Sequence, residues 1–124
     1  MFLHPIQSRR GVASQMSEIT DFHAHVYFDA ETVDLARSVC EAARDRFGIP
    51  MGRMHERLVG PHPMWSCQMT VPTDLFGTVI PWLALNRQGL IVFTHPQTGD
   101  NLADHTDHAI WMGDALELNV EMFR

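Results

Sequence analysis

Phe22-His23-Ala24-His25-Val26-Tyr27-Phe28 is the stretch that decides the fold. Side chains alternate across an extended strand, so Phe22, Ala24, Val26 and Phe28 share one side and His23, His25 and Tyr27 the other. The segment therefore reads as a strand with an apolar face and a histidine face. Asp29 follows as a helix N-cap, with Glu31 in the first turn. Val33, Ala36, Cys40, Ala43 and Phe47 then recur at alternating spacings of three and four, one apolar stripe on an amphipathic helix. Gly48 ends that helix and Pro50 prevents its return.

Beyond the helix, Arg53 to Val59 reads as a second strand, with Met54 and Leu58 opposite Arg53, His55 and Arg57. Gly60-Pro61-His62-Pro63 is a turn by composition. A third strand spans Met64 to Val71, its apolar face formed by Trp65, Cys67, Met69 and Val71. A second helix runs from Thr73 or Asp74 to about Asn86 and buries Leu75, Phe76, Val79, Ile80 and Leu83. Pro81 inside it removes a backbone hydrogen bond and predicts a kink. Leu90 to Thr94 is a short fourth strand. The order predicts an α+β, ferredoxin-like βαββαβ fold, an antiparallel sheet with two helices on one face. Leu116, Leu118, Val120 and Met122 alternate with polar residues and predict an extra C-terminal strand. Residues 1–20 read as a flexible N-terminal tail and 21–124 as a single domain.

Composition narrows the function. The 124 residues carry nine Lys+Arg against fifteen Asp+Glu, a net charge of −6, and 45% are apolar. The scattered basic residues form no stripe for a nucleic-acid backbone, and no apolar run is long enough to span a membrane. Two cysteines, Cys40 and Cys67, lack CxxC spacing, so a reduced, cytoplasmic setting is expected, with Cys40 in the core. Eight histidines accompany a single tyrosine.

The histidines have positions that suggest chemistry. His23 and His25, two apart on a strand, present imidazoles on one side roughly 7 Å apart. In this fold the fourth strand lies antiparallel beside the first, which brings His95 to the same end. Three histidines with open coordination positions suit Fe(II) or Zn(II). His55 points from the same end, one strand further away. His62 is expected at the far end of the sheet unless a second copy returns it. No carboxylate is read as in phase with His23 and His25; Glu56 faces the helices or the sheet edge, and Asp104, Asp107 and Glu117 qualify only if the C-terminal segment folds back. HExxH, P-loop, GxGxxG and nucleophile-elbow motifs are absent. An uncovered, weakly charged sheet face predicts a homodimer through that face. Trp111 and Met112 are assigned to packing or to that interface.

His23-Ala24-His25-Val26-Tyr27-Phe28, Gly60-Pro61-His62-Pro63, Pro81-Trp82-Leu83-Ala84-Leu85-Asn86-Arg87 and His95-Pro96-Gln97-Thr98-Gly99, closed by Asp104-His105 or Asp107-His108, together resemble the DOPA 4,5-dioxygenase family. The resemblance spans about Asp21 to Val120. It implies extradiol cleavage of a small aromatic diol, a catechol such as DOPA, by O2 at non-haem Fe(II), with Zn able to replace iron in a crystal. The family's histidines map onto His23, His25, His62, His95 and one of His105 or His108. On this resemblance His23, His25 and His95 are the expected ligands, and His62 or His108 transfers protons. Arg57 or Arg53 would pair with a substrate carboxylate, beside Tyr27. Two other readings fit the same residues. One is a cofactor-free cyclase or monooxygenase of the same architecture. The other is a non-catalytic module that binds a metal or small molecule.

Overall fold

The computed structural model describes residues 19–124, so all but the end of the expected tail lies outside the described residues. Strand β1 (Asp21–Phe28) leads to helix α1 (Val33–Phe47), strand β2 (Trp65–Pro72), helix α2 (Phe76–Asn86) and strand β3 (Val92–Pro96). A four-residue helix α3 (Asn101–Asp104) and a short strand β4 (Ile110–Met112) follow. The sheet order is β2-β1-β3-β4, antiparallel at every pairing. The α+β arrangement expected from the sequence is present, with β1 central and both neighbours pairing along it.

The core lies where the alternation placed it. Ala24, Val26 and Phe28 of β1 and Cys67, Met69 and Val71 of β2 meet Ala36, Val39, Cys40 and Ala43 of α1 and Val79 and Leu83 of α2. Full burial of an aliphatic or aromatic side chain contributes about 1.5–3 kcal/mol, so this layer fixes the sheet against the helices. Helix α1 begins later than a simple Asp29 cap would give. The Asp29 carboxylate instead accepts from the amides of Glu31 and Thr32, both at 3.0 Å, and organises a turn ahead of the helix. Gly48 closes α1 in the left-handed conformation, φ 68°, and its amide donates to the Arg44 carbonyl at 2.8 Å. Helix α2 continues through Pro81, after a 3-10 turn at Thr73–Leu75.

Two expected strands are corrected. Arg53 to Val59 is not a continuous strand; the segment touches β2 through isolated bridges, Met51 with Met69 and His55 with Ser66. Met51 to His55 advances four residues while Met69 to Ser66 retreats only three, so one extra residue bulges out and breaks the ladder. Gly52 sits in this close approach, where an added Cβ would lie 3.2 Å from the Gln68 carbonyl oxygen. The extra strand is β4, not the run from Leu116 to Met122. After Gly113, φ 83°, the chain leaves the sheet. The Asn119 amide donates to the Pro61 carbonyl at 2.9 Å, and residues Glu121–Phe123 form a 3-10 turn. Leu116, Leu118 and Val120 remain half-buried, so their alternation reflects one-sided packing without strand pairing.

Candidate metal centre

The β1–β3 register sets His23 opposite His95 and His25 opposite Phe93. Alternation then puts His23, His25, Tyr27, Phe93 and His95 on the face turned away from the helices. That face is covered by the chain's own residues. His25 is 5% exposed, His95 and Tyr27 1%, and Phe93 is fully buried. Trp111 of β4 stacks on Phe93 at 4.7 Å between ring centroids and meets the edge of Tyr27. Trp111 therefore packs this face, while Met112 packs against the core.

One nitrogen each from His23, His25 and His95 lie within 4.8 Å of one another. His25 Nε2 and His95 Nε2 are 3.2 Å apart. Two nitrogens bound to one ion at about 2.1 Å, at octahedral or tetrahedral angles, stand roughly 3.0–3.4 Å apart, so this pair already has ligand spacing. His95 Nδ1 donates to the Pro96 carbonyl at 2.9 Å. That bond places the proton on Nδ1 and leaves the Nε2 lone pair facing His25. The His23 ring is half-buried and has no hydrogen-bond partner among the described residues.

Electrostatics keep these rings neutral, the form that binds metal. Burial drives the His25 pKa well below its ordinary value, and the charges of His62, His95 and His23 push it the same way. Burial also takes His95 down to about 4, against the opposing pull of its bond to Pro96. His23 is lowered by burial and partly restored by the Asp21 charge. Three neutral imidazoles with converging lone pairs fit a divalent ion of the iron or zinc type.

His62 corrects the expectation that it lies at the far end of the sheet. The loop before β2 folds over the histidine face and sets the His62 ring 4.1 Å from that of His25. His62 Nδ1 is 2.8 Å from the Tyr27 hydroxyl. Burial raises the Tyr27 phenol, so it keeps its proton, and its oxygen can accept the His62 Nδ1–H, which leaves the His62 Nε2 lone pair free. Burial lowers His62 itself to about 4. No second copy is needed to bring His62 to the cluster.

Of the two later histidines, His105 stands at the cluster. Its ring lies 4.1 Å from His95, is flanked by Phe123, and its Nδ1 donates to the Asn101 carbonyl at 2.7 Å. His108 is exposed and donates from Nδ1 to Asp104 at 3.0 Å. Asp104 does fold back and is 1% exposed, yet its oxygens are taken by the Thr98 amide, the Thr98 hydroxyl and His108. Burial would raise the Asp104 carboxyl, but these hydrogen bonds together outweigh it and hold the pKa low. Asp104 thus braces the loop after β3 and does not join the trio. Arg53 and Arg57 are exposed and form no ion pair among the described residues. Phe93 and Asp21 also belong to this face, though neither stands out as a chemical residue in the sequence. Both were detectable by phase: Phe93 is two before His95, and Asp21 is two before His23.

An antiparallel sheet backed by two helices, with imidazoles gathered on its covered face, defines an α+β protein whose three clustered histidines could hold a metal ion. Residues 22–122 match the sequence profile of the Dopa 4,5-dioxygenase family, and the chain belongs to that family. It is 31% identical over 113 residues to DOPA 4,5-dioxygenase of Amanita muscaria, an alignment covering 84% of this chain and 50% of that protein. It is 34% identical over 115 residues to an uncharacterized 21.2 kDa protein of Botryotinia fuckeliana, covering 83% and 63% respectively. The chain therefore spans half of one curated relative and under two thirds of the other. A crystallised Nostoc punctiforme protein, provisionally described as a dioxygenase, superposes with a TM-score of 0.83 at 45% identity, covering 86% of this chain and 92% of that one. The chain is thus dioxygenase-like in sequence and in fold. No helix among the described residues is long and apolar enough to cross a membrane.

Proposed function

We propose that this protein is an extradiol dioxygenase that opens a catechol, DOPA or a close relative, beside its two hydroxyls with O2. The observation that carries the reading is the clustering of one nitrogen each from His23, His25 and His95 within 4.8 Å of one another, two of the three rings being buried. In this reading those three residues hold Fe(II). When bound, the ion supplies Lewis acidity toward the catechol oxygens and redox access to O2.

The protein's own residues supply the rest. His23 and His105 are only half-buried while His25 and His95 are buried, so the substrate approaches from the His23–His105 side. Phe93, Tyr27 and Trp111 form an aromatic floor that excludes water and orients a planar ring. In this reading His62, neutral and with its Nδ1–H held by the Tyr27 oxygen, takes a catechol proton at Nε2 and returns it later. Arg57 or Arg53 remains the candidate partner of a substrate carboxylate.

Spectrophotometry and oxygen uptake test the proposal. Protein reconstituted with Fe(II) should turn DOPA or a simpler catechol into a yellow ring-opened semialdehyde, with one O2 consumed per ring. Iron-loaded protein that yields no such product from any catechol contradicts it. Turnover that persists after iron is stripped would favour the cofactor-free alternative.

A further inference from the structure

One ring of the trio is held through its second nitrogen: His95, by the Pro96 carbonyl. His25 meets His95 through Nε2, the nitrogen that would face an ion, and is packed between His62 and Phe93. His23 has no comparable partner among the described residues. Metal-bound histidines ordinarily donate their second ring nitrogen to a carboxylate or carbonyl, which fixes the ring and its tautomer.

The missing acceptor is adjacent. Asp21 opens β1 and is in phase with His23 and His25, so its carboxylate rises from the same face one pleat away, roughly 7 Å along the strand. Its Oδ1 is buried and has no hydrogen-bond partner among the described residues. A buried carboxylate oxygen without a donor is rare, because the desolvation it suffers is uncompensated. An acceptor without a donor thus stands beside a donor without an acceptor. The Asp21 charge is already felt at the His23 ring, where it favours the protonated imidazole.

We infer that Asp21 is the positioning carboxylate of this centre, accepting a hydrogen bond from the His23 nitrogen that faces away from the ion. This rests on the metal reading above and adds a residue to it. Asp21 acts through His23 and is not itself a ligand: the atoms gathered within 4.8 Å of one another come from the three histidines. The bond fixes the His23 tautomer and makes its ligating nitrogen a better donor to metal.

Zinc binding to the whole chain, followed by calorimetry and by long-range proton–nitrogen NMR of labelled histidines, tests this without turnover. In zinc-loaded wild type, His23 should show one metal-bound nitrogen and one slowly exchanging, downfield N–H. Asp21→Ala should lose that slow N–H and bind zinc about 10–100-fold more weakly. Asp21→Asn keeps an acceptor oxygen and should fall between the two. Unchanged affinity and an unchanged His23 N–H in Asp21→Ala would overturn the inference. So would a Co(II) spectrum showing that Asp21→Ala has lost a directly bound ligand. If Asp21→Ala does not fold, a fast-exchanging His23 N–H in the wild type overturns it, and a slow one upholds it. A wild-type protein that binds no zinc overturns the metal reading itself, and this inference with it.

Discussion

Acid should destabilise the metal-free protein well before its carboxylates titrate. His62 and His95 have pKa values near 4 in the fold, against 6.5 for a free histidine. A pKa that is lowered by folding leaves stability intact above the unfolded value. Stability is then lost as pH falls through 6.5 toward 4, because the unfolded chain takes up protons that the fold refuses. At pH 5 the unfolded imidazoles are almost all charged and the folded ones mostly neutral. Linkage then gives a loss of about 1–2 kcal/mol for each of these two histidines relative to about pH 7.5. His25 adds to the same trend. For a domain of this size a total of about 2–4 kcal/mol lowers the melting temperature by on the order of 10 °C. Asp29, Asp45 and Asp104 have lowered pKa values, so their contributions are lost only below the ordinary carboxylate range. The two effects therefore separate along the pH axis. The assay is thermal or urea unfolding of chelator-treated protein between about pH 7.5 and 5, with His95→Gln reducing the slope. A melting temperature that is flat across this interval would refute the claim that these rings are buried neutral.

Three further outcomes follow. His25→Ala should abolish stoichiometric metal binding and turnover while circular dichroism shows a folded protein; retention of both would remove His25 from the ligand set. Tyr27→Phe should lower kcat with little change in KM, because it deletes the 2.8 Å contact to His62 but keeps the aromatic floor; stopped-flow kinetics with a catechol would show it, and an unchanged kcat would count against a role for the pair. Gly52→Ala should destabilise the protein by about 1–3 kcal/mol, since the new Cβ meets the Gln68 carbonyl at 3.2 Å and neither backbone can yield easily; urea unfolding measures it, and no change would mean that the 50–55 segment is free to move.

Much of the fold was legible because β1, α1 and β2 each bury one face, and one-sided burial writes its period into the sequence. The meeting of His95 with His23 and His25 was legible too, since antiparallel neighbours follow from the order of elements. The segment from Arg53 to Val59 was not, because its edge role depends on a one-residue bulge that leaves no periodic trace. His62 was placed wrongly because a turn was treated as a simple reversal. In fact, residues 60–62 fold over the sheet and the Pro61 carbonyl meets the Asn119 amide. That contact joins residues far apart in sequence, and local pattern cannot announce it. Asp21 was overlooked for a plainer reason. It stands just before the alternating run, and only its phase puts it on the histidine face.

Anomalous scattering at the metal absorption edge, from crystals loaded with Fe(II) or Zn(II), bears most directly on the central idea. A single strong peak bonded to one nitrogen from each of His23, His25 and His95 is the predicted result. A peak elsewhere on the molecule, or none at full loading, would contradict the account.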